Sequence, residues 1–246
     1  MIIDLHTHNF ANQTDAVVAA AKKHGIDRIV LLSDVFRFGL YPERDQIRQI
    51  NDATLTDVRR YPDYTRGFCF LNPANPPEFL REELARCFSH PEFIGVKLEA
   101  SVNCRSRQMT PIMTFLAESK RPLLQHTWYK TVGRLRCESD PSDVAALARR
   151  HPEVKIVMAH LCGCGYRGVE DIAGLPNVLI DTSGAQPEAG LVEYAVRRLG
   201  AERVLYGSDA PCRDFGCQLA KISDAAISVA DRERILWKNA KELLSW

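Results

Sequence analysis

Residues 1–25 read MIIDLHTHNFANQTDAVVAAAKKHG. The opening MIIDLH has the length and apolar content of a strand. After a polar turn, Val17, Val18 and Ala21 fall on one helical face, and Gly25 ends the pattern as a helix stop. The same strand-then-helix unit recurs to the end of the chain. DRIVLLS (27–33) precedes the helical RDQIRQINDATLTDVRRYP (44–62), TRGFCFLN (65–72) precedes EFLREELARCFSHP (78–91), and EFIGVKLEA (92–100) precedes PIMTFLAESK (111–120). RPLLQHT (121–127) leads to PSDVAALARRHP (141–152), which proline stops. EVKIVMAHL (153–161) leads into LCGCGYRG (161–168), read as a glycine-rich loop. NVLIDTSG (177–184) precedes AGLVEYAVRRLG (189–200), and ERVLYGSDAP (202–211) precedes a tail with one or two helices. Eight strands, each followed by a helix and with no break in composition, imply parallel βαβ units. The expected fold is α/β, a single (β/α)8 TIM barrel filling 1–246 as one domain. A doubly wound sheet would be expected to carry a glycine-rich fingerprint after its first strand, and HTHNFANQ has no glycine.

The bulk properties narrow the function. Hydrophobic residues make up 46% of the chain, ample for a large core, and 32 basic against 31 acidic residues leave a net charge of +1. No basic stripe argues for nucleic acid. No apolar run approaches the roughly 20 residues that span a bilayer, so no membrane partner is expected. The start lacks the basic and long apolar regions of a signal peptide, and a cytoplasmic location is expected. The eight cysteines then read as reduced thiols rather than as a disulfide framework. The outer helix faces fit either a monomer or a homo-oligomer.

The seven histidines divide into two groups. His24, His90 and His151 sit at helix ends, where an imidazole favours the dipole and caps carbonyls. His6 and His8 end the first strand, His126 the fifth and His160 the sixth, and Asp209 ends the eighth. Active sites of this fold form at the C-terminal ends of its strands. Strand alternation gives His6 and His8 one face, suited to a shared metal ion. On the fourth strand Lys97 and Glu99 also share a face, and inside a barrel they require a partner or a metal.

His-x-His on strand one, single histidines ending strands five and six, and an aspartate ending strand eight resemble the amidohydrolase superfamily. GVKL, AHLCG, LYGSDAP and DRERILWKNAKELL are similar to the branch containing aminocarboxymuconate-semialdehyde decarboxylase and its hydrolase relatives. The resemblance implies that His6, His8 and His126 bind a divalent metal, with Asp209 as a further ligand and proton shuttle. It implies that His160 either binds a second metal or acts as general acid/base. The branch carries lysine, leucine, histidine on strand four, whereas this chain has Glu99 at the histidine position. Glu99, or Lys97 if carboxylated, would bridge two metals; Glu99 needs no modification and is taken here.

Imidazoles and carboxylates accept zinc, manganese or iron, with zinc expected in one or two copies. Such a site lowers the pKa of bound water to about 7 and polarises a carbonyl. The expected reaction is hydrolysis of a small anionic ester, lactone, amide or phosphoester. The alternative is a one-metal decarboxylase acting on an unsaturated carboxylate. Arg37, Lys97, Trp128 and Arg213 are the expected substrate-binding residues. Arg213 stands out, four residues past Asp209, because an arginine at the mouth grips carboxylate or phosphate. Arg105, Arg107, Tyr129, Arg167, Thr182 and Ser183 are further loop and strand-end residues within that region.

Overall fold

A computed structural model describes residues 1–246. Eight strands alternate with helices: β1 (Ile3–Thr7), β2 (Arg28–Leu31), β3 (Thr65–Leu71), β4 (Phe93–Leu98), β5 (Leu123–Gln125), β6 (Ile156–Met158), β7 (Val178–Asp181) and β8 (Val204–Leu205). Each pairs in parallel with the next, in the order β1 to β8. Backbone hydrogen bonds from Leu5 N–H to the Tyr206 carbonyl (3.1 Å), His8 N–H to Ala210 (2.7 Å) and Asp209 N–H to His6 (2.7 Å) close β8 onto β1. The fold is the expected single (β/α)8 TIM barrel.

The strands read as near-continuous apolar runs because both of their faces are covered. Outward residues such as Ile29, Leu31, Val96, Leu98, Ile156 and Ile180 join the helices in the larger core cluster. Inward Ile3, Leu5, Val30, Leu32, Phe68, Leu124, Val157 and Leu205 fill the barrel. The C-terminal segment Val229–Leu244 comprises a short α-helix, one turn of π-helix and a last α-helix. It closes the lower end of the barrel, placing Ala240 and Leu244 against the inner cluster. With the bottom plugged by apolar groups, the polar strand ends at the top are the wet end of the barrel.

Helices α1 (Thr14–Lys23), α2 (Arg44–Arg60), α3 (Pro77–Phe88), α4 (Thr110–Ser119), α5 (Pro141–Arg150), α6 (Leu161–Ile172), α7 (Leu191–Leu199) and α8 (Phe215–Ser223) surround the barrel. Helix α5 begins where Asp140 Oδ1 accepts from the N–H groups of Ser142 (2.9 Å) and Asp143 (3.2 Å), a side-chain N-cap. His24 and His151 are the C-cap residues of α1 and α5.

Two local expectations are corrected. The stretch LCGCGYRG is the start of α6 rather than a loop, kinked at Cys162 and Gly165. Its glycines serve packing: a Cβ on Gly163 would lie 2.8 Å from Trp128 Cε2. Simple alternation also fails on β1. Leu5 belongs to the inner cluster, yet the adjacent His6 lines the cavity above it. The β1–β2 register shifts between Asp4 and Thr7, and Asp4 Oδ1 accepts from His6 N–H at 2.9 Å. That irregularity re-aims His6, a common use of a strand bulge beside a site.

Candidate functional site

His6 and His8 lie with ring centroids 5.3 Å apart. Each is held by its Nδ1. His6 Nδ1–H donates to Asp181 Oδ2 at 2.8 Å, and His8 Nδ1–H donates to the Ser33 carbonyl at 3.2 Å. These partners assign the tautomers, leaving both Nε2 lone pairs free. Both Nε2 atoms lie 3.5 Å from Asp209 Oδ1. His6 Nε2 is buried with no hydrogen-bond partner. An orphaned imidazole nitrogen is costly unless something else occupies it. The ligand atoms of His6, His8 and Asp209 all lie within 4.8 Å of one another. Two oriented imidazoles and one carboxylate fit a divalent cation.

Asp209 and His160 are left-handed, with φ of 62° and 71°. Non-glycine residues held there cost about 1–3 kcal/mol each and persist where the surroundings fix them. Asp209 is fixed by its backbone bond to β1. Gly207 allows this approach, since a Cβ there would lie 2.9 Å from His6 Cβ. Burial opposes charge on Asp209, but its contact with His8 and the attraction of His6 and His160 outweigh it and hold the carboxyl far below the usual range. Behind His6, Asp181 Oδ1 accepts from the N–H groups of His160 (3.0 Å) and Ser183 (2.9 Å). Asp181 therefore ties together β1, β6 and β7.

His160 Nε2 lies 3.8 Å from Asp209 Oδ2, and its ring centroid is 5.1 Å from that of His6. Its Nδ1–H donates to the Thr127 carbonyl at 3.0 Å, leaving a lone pair on Nε2. Burial, reinforced by nearby His126 and His6 and partly offset by Asp209, pushes its pKa down to about 3. The imidazole is thus neutral at neutral pH. Trp128 packs on it at 4.9 Å between ring centroids.

A second chain of charges forms the opposite wall. Lys97 Nζ, fully buried, lies 2.5 Å from Glu99 Oε1. Glu99 Oε2 is 3.2 Å from His126 Nδ1, and His126 Nε2 is 3.0 Å from Glu138 Oε1. Lys130 Nζ donates to the same Glu138 oxygen at 2.7 Å. Burial opposes charge on both glutamates, yet their partners outweigh it and hold each near a pKa of about 2. Glu99 and His126, expected among the metal ligands, are engaged in this chain and are not brought into the three-residue group. The physical reason is charge matching: a buried lysine needs its carboxylate close, and Lys97 has Glu99 two residues away.

A cavity of about 390 Å³ opens above these groups. His6, His8, Glu99, His126, His160 and Asp209 form its polar floor and wall, and Phe36, Leu40, Trp128 and Leu135 its apolar sides. Of the four expected substrate-binding residues, Trp128 and Arg213 line it. Arg37 does not; it is exposed, with its guanidinium 5.2 Å from the Phe38 ring. Lys97 does not either, being enclosed within the barrel. Ser183 serves Asp181 and His6 rather than the cavity, and Thr182 Oγ donates to the Gly207 carbonyl at 3.5 Å.

Sequence reasoning missed Asp181, Glu138 and Lys130. Asp181 had a signal, since a carboxylate ends strand seven just as one ends strand eight. Glu138 and Lys130 lie in the long connection after β5, which has no periodicity to place them.

Comparison with known proteins bears on this site. The chain is 23% identical over 287 residues to a gamma-resorcylate decarboxylase from a Polaromonas species, covering 93% of this chain and 86% of that protein. It is 25% identical to a gamma-resorcylate decarboxylase from Rhodococcus jostii, covering 90% and 84%. Its fold matches a 5-carboxyvanillate decarboxylase from Novosphingobium aromaticivorans, solved with manganese and 4-hydroxy-3-methoxy-5-nitrobenzoic acid. That match has a TM-score of 0.81 and 16% identity, with 100% and 96% coverage. The expectation of a hydrolase is corrected by these relatives, which are decarboxylases; the sequence alternative agrees with them better. The amidohydrolase family model matches residues 3–246, and, with a barrel whose strand ends converge on His6, His8 and Asp209, this chain belongs to the amidohydrolase family.

Proposed function

We propose that this chain is a metal-dependent decarboxylase of an aromatic carboxylate. The observation that carries the reading is the cavity itself: a three-residue metal-type group at one end, a neutral histidine beside it, and apolar walls from Phe36, Leu40, Trp128 and Leu135. A pocket of this size with such walls suits a flat apolar ring and a few placed polar groups. The two curated relatives support the same reaction class.

His6, His8 and Asp209 would hold the cation. When bound, a divalent cation supplies Lewis acidity toward a substrate oxygen. The donor set accepts zinc, manganese or iron. The manganese in the N. aromaticivorans structure makes manganese the first ion to load. Glu99 supports a single ion per chain, because its two oxygens face Lys97 and His126.

Loss of carbon dioxide breaks the bond between ring and carboxylate. The electron pair stays with the ring carbon, which takes a proton in exchange. His160 is the residue placed to relay that proton: its Nδ1–H is fixed on Thr127, and its Nε2 lone pair, which faces the site, would take a proton from solvent at the cavity mouth and pass it to the ring carbon. Trp128 and the facing aliphatic side chains exclude water and orient the ring. Asp181 keeps the imidazole of His6 in its ligating tautomer.

The test is headspace carbon dioxide from manganese-loaded and zinc-loaded protein over a panel of hydroxybenzoates and benzenedicarboxylates. Release from at least one, with about 10²-fold or greater loss in His160→Ala at unchanged metal content, is the expected result. A panel with no carbon dioxide release, or full activity in His160→Ala, would overturn the reading.

A further inference from the structure

Among the charged side chains lining the cavity, one cation lacks a carboxylate partner within hydrogen-bond distance. Lys130 is committed to Glu138 at 2.7 Å, and Lys97, behind the wall, to Glu99 at 2.5 Å. Arg213 is different. Its nearest carboxylate oxygen, Asp209 Oδ2, lies 4.0 Å from Nε, too far for a hydrogen bond. Asp209 Oδ1 is turned toward His6 and His8. One donor of Arg213 is used, Nη1–H to the Cys212 carbonyl at 2.9 Å. Its Nε–H is buried with no partner. The free edge of the guanidinium is therefore Nε with Nη2, two parallel N–H groups. That edge matches the two oxygens of a carboxylate.

Resting on the decarboxylase reading, we propose that Arg213 is a specificity-determining residue that binds a second carboxylate of the substrate, the one retained in the product. The preferred substrate class is then an aromatic dicarboxylate. Charge matching leads to the same class. Glu99 and Glu138 are neutralised by their lysines, and Asp209 is opposed by the cation the site would hold. Arg213 remains as unspent positive charge. The retained carboxylate follows from the energetics of the reaction. A cation gripping the carboxylate that leaves would stabilise the ground state, in which charge is localised there, and would slow its loss. A cation on the retained carboxylate binds ground and transition states alike and selects among substrates without raising the barrier.

The test uses binding to the manganese-loaded protein by titration calorimetry. The probes are isophthalate and 3-carbamoylbenzoate, which share shape and differ by one carboxylate. Wild type should bind isophthalate about tenfold tighter, the size expected for a charge-assisted contact. Arg213→Gln should bind both probes equally, near the wild-type value for 3-carbamoylbenzoate, and Arg213→Lys should restore part of the preference. Metal content per chain is measured in each variant. Retention of the tenfold preference in Arg213→Gln, or an equal loss of affinity for both probes, would overturn the proposal. Carbon dioxide release is scored separately. A preference that depends on Arg213 without release from any carboxylate refutes the reaction and leaves the anion site standing. Release that is indifferent to the second carboxylate and to Arg213 refutes the anion site and leaves the reaction standing.

Discussion

At the residue scale, three of the four imidazoles in the site have one nitrogen fixed and the other free, while His126 has both nitrogens engaged by glutamates. Asp181 fixes His6, Ser33 fixes His8 and Thr127 fixes His160. Removing such a supporting partner from a metal site weakens metal affinity by about 10–100-fold. Asp181→Asn is therefore expected to lower manganese affinity by that amount, read by competition with a chelator, while Glu99→Gln leaves one ion per chain. Loss of metal in Glu99→Gln would return Glu99 to the ligand set. His6, His8, His160 and Asp209 were legible in the sequence because each ends a strand, and the fold turns strand ends into neighbours. Arg37 was not placed correctly. A loop arginine has no periodicity to fix it, and here the side chain lies along Phe38 on the outside.

At the element scale, the connection from β5 to α5 carries Trp128, Lys130 and Glu138 into the cavity. The charge chain that starts at Lys97 reaches this connection at Glu138. The carboxyl of Glu138 is lowered from an ordinary 4.5 to about 2 in the folded protein. A lowered carboxyl stabilises the fold above its unfolded pKa, and that contribution fades as pH falls from about 4.5 toward 2. Tryptophan fluorescence and denaturant midpoints across this window should show a loss of stability that is smaller in Glu138→Gln. Equal pH dependence in both would refute the assignment. On the neighbouring helix, Gly163 leaves room for the Trp128 ring. Gly163→Ala is expected to cost about 1–3 kcal/mol by overpacking, measured by urea unfolding. The periodicity of α1, α2 and α5 could be read directly from sequence. The start of α6 could not, because its glycines mimic a loop while serving close packing. The irregularity in β1 was equally hidden: alternation treats MIIDLHTH as a regular strand, and only the pairing with β2 exposes the shift.

At the scale of the whole molecule, the barrel divides an apolar lower half from a polar upper rim. The C-terminal segment seals the lower half, with Leu244 buried against the inner cluster. Leu244→Ala should destabilise the fold by about 2–5 kcal/mol in urea unfolding while leaving metal content unchanged. A loss of metal at full stability would show that the two halves are not independent in this way. The eightfold alternation was readable because each unit repeats the same strand-then-helix pattern. The reaction was harder to read, since one barrel and one ligand set serve hydrolysis and decarboxylation alike. No helix is long and apolar enough to cross a membrane. Decarboxylation and hydrolysis differ in which bond breaks, and carbon NMR follows that bond directly. Manganese-loaded protein would be incubated in deuterium oxide with an aromatic dicarboxylate labelled with carbon-13 at one carboxyl. The predicted result is label appearing as carbon dioxide and bicarbonate, with one deuterium on the vacated ring carbon. Label retained in every product, with the ring–carboxyl bond intact, would contradict it.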